Sequence, residues 1–102
     1  MLSITADELY RKINEKEEVI LIDVREEWEH EAFNIGGLLI PMNTVSQHLD
    51  LIPKDKPVVI YCEKGIRSTI LIQKLQQLYQ YHNLINLSGG MYAWRNTIPG
   101  FQ

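Results

Sequence analysis

Cys62 is the one cysteine in this chain of 102 residues, and it opens the run Cys62-Glu63-Lys64-Gly65-Ile66-Arg67-Ser68. The nucleophilic form of a cysteine is the thiolate, which is favoured where positive charge and N–H dipoles surround the sulfur. The residues before it, Val58-Val59-Ile60-Tyr61, read as a buried strand, and those from about Ile66 to Tyr81 read as a helix. The thiol therefore stands at the carboxyl tip of a strand, in a tight loop that feeds a helix N-terminus. Backbone N–H groups there lack intrahelical partners and the helix dipole favours negative charge. Gly65 lets the backbone turn so that the N–H groups of Lys64 to Ser68 converge on the sulfur. Lys64 adds positive charge and Glu63 opposes it. Arg67 acts either by charge or by holding the loop through hydrogen bonds to its carbonyls, and its place in the first helical turn favours the holding role. A cysteine with no such surroundings is more often a small buried hydrophobe; strand, loop and helix together make nucleophilic chemistry the reading here.

Asp23 and Arg25 also follow a strand. They read as an internal ion pair or a loop support in preference to a substrate contact. His30, His48 and His82 have no metal-ligand spacing with one another or with Cys62. They read as solvated or satisfied side chains, and neither a metal site nor a cofactor is expected. Gly89-Gly90 reads as a turn, since two glycines alone are a weak phosphate signal.

The elements that must position the loop follow from the apolar pattern. Thr5-Ala6-Asp7-Glu8 is a capping box with Leu9 and Ile13 at helical spacing behind it, which predicts a helix near 6–16. Val19-Ile20-Leu21-Ile22-Asp23-Val24 has the continuous apolar character of a buried parallel strand. Glu26 to Ala32 predicts a short helix with Trp28 as its apolar anchor. Gly36-Gly37 before Leu38-Leu39-Ile40-Pro41 predicts a turn and a short strand stopped by proline. Asn43 or Thr44 caps a helix carrying Val45, Leu49 and Ile52 on one face. Behind Cys62, Ile70, Leu71, Leu75, Leu78 and Tyr79 form a wide stripe for docking on a sheet. Leu84-Ile85-Asn86-Leu87 is a last strand, and Met91, Trp94 and Ile98 belong to a final short helix that stops before Pro99-Gly100. Strands alternating with helices predict an α/β fold, a mostly parallel sheet covered by helices on both faces, with ligands bound beyond the carboxyl ends of the strands.

Composition excludes several classes of function. Hydrophobic residues make up 45% and charged residues 23% of the chain, which suits one soluble domain over residues 1–102. A net charge of −3 argues against a nucleic-acid or membrane surface. No apolar run approaches membrane-spanning length and no signal peptide is visible at the N-terminus. One cysteine makes no internal disulfide, so a cytoplasmic, reducing location is expected.

Three motifs in order resemble the single-domain rhodanese family of sulfurtransferases. Ile22-Asp23-Val24-Arg25 with Glu26, Glu27 and Trp28 is similar to its first signature. Cys62 to Ser68 is similar to its active-site loop, and Leu87-Ser88-Gly89-Gly90 with Trp94 to its C-terminal signature. Asn34 stands where the family commonly has a histidine that packs the loop and does not react. The resemblance implies a five-stranded, mostly parallel sheet flanked by helices. It implies that Cys62 takes a sulfane sulfur from a donor such as thiosulfate, holds it as a persulfide and gives it to an acceptor: cyanide, a thiol or a sulfur-carrier protein. Residues Glu63 to Ser68 then bind the substrate. It also implies an acid paired with Arg25, Glu31 being one candidate. Two alternatives come from other classes. Cys-dependent phosphatases and arsenate reductases also end a thiolate loop in arginine. Their loop is longer by one residue than the four here, Glu63 to Ile66, which make a cradle suited to a single sulfur atom. A regulatory or binding module that carries a persulfide is the other alternative.

Overall fold

The apolar runs form the centre of the molecule. In the computed structural model, which describes residues 1–98 and Gly100, five strands make one sheet: β1 (Leu2–Ile4), β2 (Ile20–Asp23), β3 (Leu38–Leu39), β4 (Val58–Tyr61) and β5 (Leu84–Leu87). Their spatial order is β1-β5-β4-β2-β3 and every pairing is parallel. β4 is central and wholly buried, as its unbroken apolar sequence requires. Its side chains alternate between two cores. Val58 and Ile60 join Ile22, Leu71, Ile72, Leu75 and Leu84 on one face, and Val59 and Tyr61 join Leu9, Leu87, Met91 and Trp94 on the other.

Four α-helices flank the sheet: α1 (Ala6–Asn14), α2 (Glu27–Ala32), α3 (Ile66–Tyr79) and α4 (Gly90–Thr97). α1 and α4 supply the second core with Ala6, Leu9, Met91 and Trp94, while α3 supplies the first with Leu71, Ile72 and Leu75. The α1 capping box is reciprocal: the Glu8 N–H donates to Thr5 Oγ1 at 3.2 Å and the Thr5 N–H to Glu8 Oε1 at 2.9 Å. This helix ends at Asn14, two residues early, because Lys16 turns into the left-handed region at φ +57°.

Three further expectations change, and one strand was not expected. Trp28 does not anchor α2; it is 71% exposed, and none of the six residues of this short helix is buried. The segment behind Pro41 is two 3₁₀ helices, Met42–Gln47 and Leu49–Leu51, with no side-chain cap. There the Thr44 hydroxyl donates to the Pro41 carbonyl at 2.8 Å, competing with α-helical bonding, although Val45 and Ile52 are buried as patterned. The stripe on α3 is rotated: Ser68, Leu71, Ile72 and Leu75 are buried, whereas Ile70 and Leu78 are exposed. β1 is an unforeseen edge strand, paired with β5 through Leu2 to Ile4. The stop assigned to Pro99 lies outside the described residues.

Candidate active site

The carboxyl ends of β2 and β4 lie side by side, with Asp23 in register with Tyr61. That register brings Asp23, Arg25 and the loop after Tyr61 to one edge of the sheet. Cys62 is 1% exposed at the tip of β4. Its Sγ accepts hydrogen bonds from the backbone N–H of Gly65 at 3.1 Å and of Ser68 at 3.3 Å. The Ser68 hydroxyl lies 3.3 Å from the same sulfur. Gly65 makes this possible: it sits at φ +87° as the N-cap of α3, a conformation that only glycine adopts without strain. The sulfur therefore faces the N-terminus of a helix through real donors, an arrangement that stabilises negative charge on it.

The loop is held from two elements, α4 and the end of β2. α4 begins against it: the Met91 N–H donates to the Cys62 carbonyl at 3.0 Å and the Tyr92 N–H to the Glu63 carbonyl at 2.8 Å. These bonds satisfy N–H groups of the first turn of α4 that have no partner within the helix. They also explain Gly90, where an added Cβ would stand 2.4 Å from the Cys62 carbonyl oxygen. From β2, the buried Arg25 donates through Nη1 to Glu63 at 3.2 Å. From α4, Arg95 pairs with the same Glu63 carboxylate. Glu63 is thus an anchor, its charge matched from two directions.

Arg25 and Asp23 form a buried pair. Arg25 donates from Nε at 2.9 Å and Nη2 at 2.8 Å to the two Asp23 oxygens, and from Nη2 to the Phe33 carbonyl at 2.6 Å. Burial opposes the Arg25 charge, but the hydrogen bonds and charge of Asp23 prevail and hold the guanidinium above its ordinary range. The acid paired with Arg25 is therefore not Glu31 but Asp23, with Glu63 second. His30 is satisfied by the same carboxylate, its Nδ1 standing 2.9 Å from Asp23 Oδ2. Asn34 ties the turn after α2, donating to the His30 carbonyl and accepting from the Gly36 N–H.

Arg67 is placed differently from expectation. Its guanidinium does not bind the loop carbonyls; Nη1 and Nη2 donate to the two Glu29 oxygens at 3.1 and 3.0 Å, joining α3 to α2. These bonds pull the Glu29 carboxyl below its ordinary range, against the effect of burial. The same bonds raise Arg67, with a smaller contribution from Cys62. The Gly65 carbonyl accepts instead from Thr69 Oγ1 at 2.7 Å.

Cys62, Glu63, Lys64, Ile66 and Arg67 line a cleft of about 360 Å³. A larger groove of about 570 Å³, walled by Val24, Val45, Leu71 and Leu75, adjoins it and shares Arg67. Ile66 and Tyr92 are exposed, and Lys64 Nζ lies 5.9 Å from the Tyr92 ring centre. Among the described residues, no cluster of three His, Cys, Asp or Glu residues could hold a metal ion.

The sequence located the loop and the Asp23–Arg25 pair. It missed Glu29, Arg95 and Asn86. Asn86 carried a signal, being a polar side chain inside a buried apolar run; Glu29 and Arg95 carried none, since each meets a loop residue more than thirty positions away.

A family model described as the Rhodanese-like domain matches residues 5–97. A sulfurtransferase of Allochromatium vinosum is 36% identical over 98 residues, covering 94% of this chain and 91% of the relative. The thiosulfate sulfurtransferase GlpE of Coxiella burnetii is 28% identical over 85 residues, covering 82% and 78%. The crystal structure of a rhodanese-like domain protein from Staphylococcus aureus superimposes with a TM-score of 0.84 at 36% identity, covering 92% of this chain and 91% of that one.

Proposed function

The chain belongs to the rhodanese-like domain family, and from that premise we propose that it is a sulfurtransferase working through a persulfide on Cys62. Residues 1–102 act as one such domain. The donor is a small sulfane-sulfur compound such as thiosulfate, and the acceptor is cyanide, a thiol or a sulfur-carrier protein. The Cys62 thiolate attacks the outer sulfur of thiosulfate; a new S–S bond forms, the old one breaks, and its electron pair leaves with sulfite. The acceptor then attacks the outer sulfur of the persulfide, and the electron pair of that S–S bond returns to Cys62 as thiolate. The cysteine is both the nucleophile of the first step and the leaving group of the second, so a cradle that stabilises its anion serves both.

The observation that carries this reading is the convergence of the Gly65 and Ser68 N–H groups on Sγ at the mouth of a cleft. Donors already aimed at the developing charge need no reorganisation during the reaction. Glu63, Lys64, Ile66 and Arg67 form the cleft wall that receives the donor, and Asp23 and Arg25 support the loop from beneath. A cytoplasmic setting suits a chain whose one thiol must stay unpaired.

Intact-mass spectrometry tests the reading. Incubation with thiosulfate adds one sulfur atom, cyanide removes it, and the folded Cys62→Ser variant neither gains sulfur nor turns over. Substantial thiosulfate:cyanide transfer by that serine variant would overturn the assignment of Cys62.

A further inference from the structure

Asn86 is a polar residue in the middle of an apolar strand. Leu84 and Leu87 of β5 are fully buried and Asn86 is 8% exposed. Its alternation with Ile85 and Leu87 sends its side chain to the face of the sheet where Leu84 meets α3. There Asn86 Oδ1 lies 2.5 Å from Ser68 Oγ, and Ser68 Oγ lies 3.3 Å from Cys62 Sγ. Asn86 is in register with Ile60, two residues before Cys62 on the neighbouring strand. Amide, hydroxyl and sulfur thus form a buried chain that runs from β5 through α3 to the tip of β4.

A serine hydroxyl has one proton to donate, so Ser68 serves either Asn86 or the sulfur, not both. When the hydroxyl donates to Asn86 Oδ1, the bond between Ser68 and Cys62 needs its proton from the thiol. When the thiol has lost its proton, the hydroxyl must turn to the sulfur. Asn86 Oδ1 would then face lone pairs on Ser68 Oγ. The two ends of a primary amide have nearly the same shape, so turning the Asn86 amide over presents Nδ2 as a donor without repacking.

We propose that Asn86 is a positioning residue for sulfur transfer, acting through Ser68 to match the hydrogen bonding of the cradle to the charge on the sulfur. In the thiol state the chain of donors runs from sulfur to Ser68 to Asn86. In the anionic state it runs from Asn86 to Ser68 to sulfur. The thiol proton leaves to solvent, the hydroxyl keeps its own, and no other bond is made or broken. Burial gives the chain its force, because an unmatched polar group away from water costs more than one at the surface. The proposal rests on Cys62 as the reacting atom, and its test reads that atom without any sulfur donor.

The test is a double-mutant cycle on the rate at which iodoacetamide alkylates Cys62 at neutral pH, in the wild type, Asn86→Leu, Ser68→Ala and the double variant. Thermal unfolding is followed in parallel, and Asn86→Ala repeats the cycle with a side chain that cannot overpack. Each single change slows alkylation roughly tenfold, the scale of one hydrogen bond to a charged group. The double variant is no slower than Ser68→Ala alone, because with the hydroxyl gone Asn86 has nothing to act through. Losses that multiply to roughly a hundredfold in the double variant, or an unchanged rate in both Asn86 variants, would overturn the proposal. A coupled cycle in a protein that thiosulfate does not load would leave the chain of donors standing and remove the sulfur donor.

Discussion

At the residue scale, the charges beneath the loop do unequal work. Asp23 and Arg25 are 0% and 1% exposed, and the carboxylate accepts from the Arg25 backbone as well as its guanidinium. Removing one member leaves the other charged, dry and short of partners. Arg25→Leu is therefore expected to cost about 3–5 kcal/mol. Arg95→Ala, which breaks a partly exposed pair at the rim, costs about 0–1 kcal/mol. Urea unfolding midpoints of the two variants measure the difference. Equal losses would show that burial does not set the value of these pairs. Asp23 stands two residues from Arg25 and was readable as its partner in the sequence, but only the register of β2 with β4 brings Glu63 to the same guanidinium.

At the element scale, the Glu29–Arg67 pair joins α2 to α3 and makes the fold sensitive to acid. Its hydrogen bonds hold the folded Glu29 carboxyl below the ordinary value, so between the two values the unfolded chain binds the proton more tightly and stability rises with pH. The contribution is complete above the ordinary carboxylate value of about 4.3 and is lost as pH falls through the lower folded value. The gap in unfolding midpoint between wild type and Glu29→Gln is thus expected to be constant near neutrality and to close in acid. A gap that widens on acidification would reverse the sign of the argument. Elements also set the phase of α3. Hydrophobicity alone turned Ile70 and Leu78 inward; the structure turns Ser68 inward with Leu71, Ile72 and Leu75, because the sulfur and Asn86 both lie on that side. A hydrophobic count is blind to a buried serine. It is equally blind to α2, which keeps Trp28 in solvent, because six residues tied by ion pairs need little apolar anchoring.

At the scale of the whole molecule, loop size is expected to separate sulfur from phosphate chemistry. Four residues lie between Cys62 and Arg67, and the N–H groups of Gly65 and Ser68 already crowd Sγ at 3.1 and 3.3 Å. One added sulfur atom suits this cradle better than a phosphoryl group with three oxygens. The unaltered protein is expected to turn over thiosulfate and to leave aryl phosphates essentially intact in a side-by-side assay; faster hydrolysis of an aryl phosphate would place phosphatase chemistry first. The sequence by itself determined the α/β class, the central strands and the cysteine loop. These rest on local causes: continuous apolar runs, a capping box, and a glycine where the chain must turn left-handed. The motif resemblance supplied the count of five strands, since Leu2–Ile4 is too short and too exposed to announce itself. Tertiary structure alone decided the rest: that Glu63 meets Arg25 and Arg95 and Glu29 meets Arg67, that α4 satisfies the Cys62 and Glu63 carbonyls, and that Asn86 stands behind Ser68. Each of those contacts joins residues far apart in the chain. Their geometry comes from the order and register of the strands, which a pattern of hydrophobic residues does not encode.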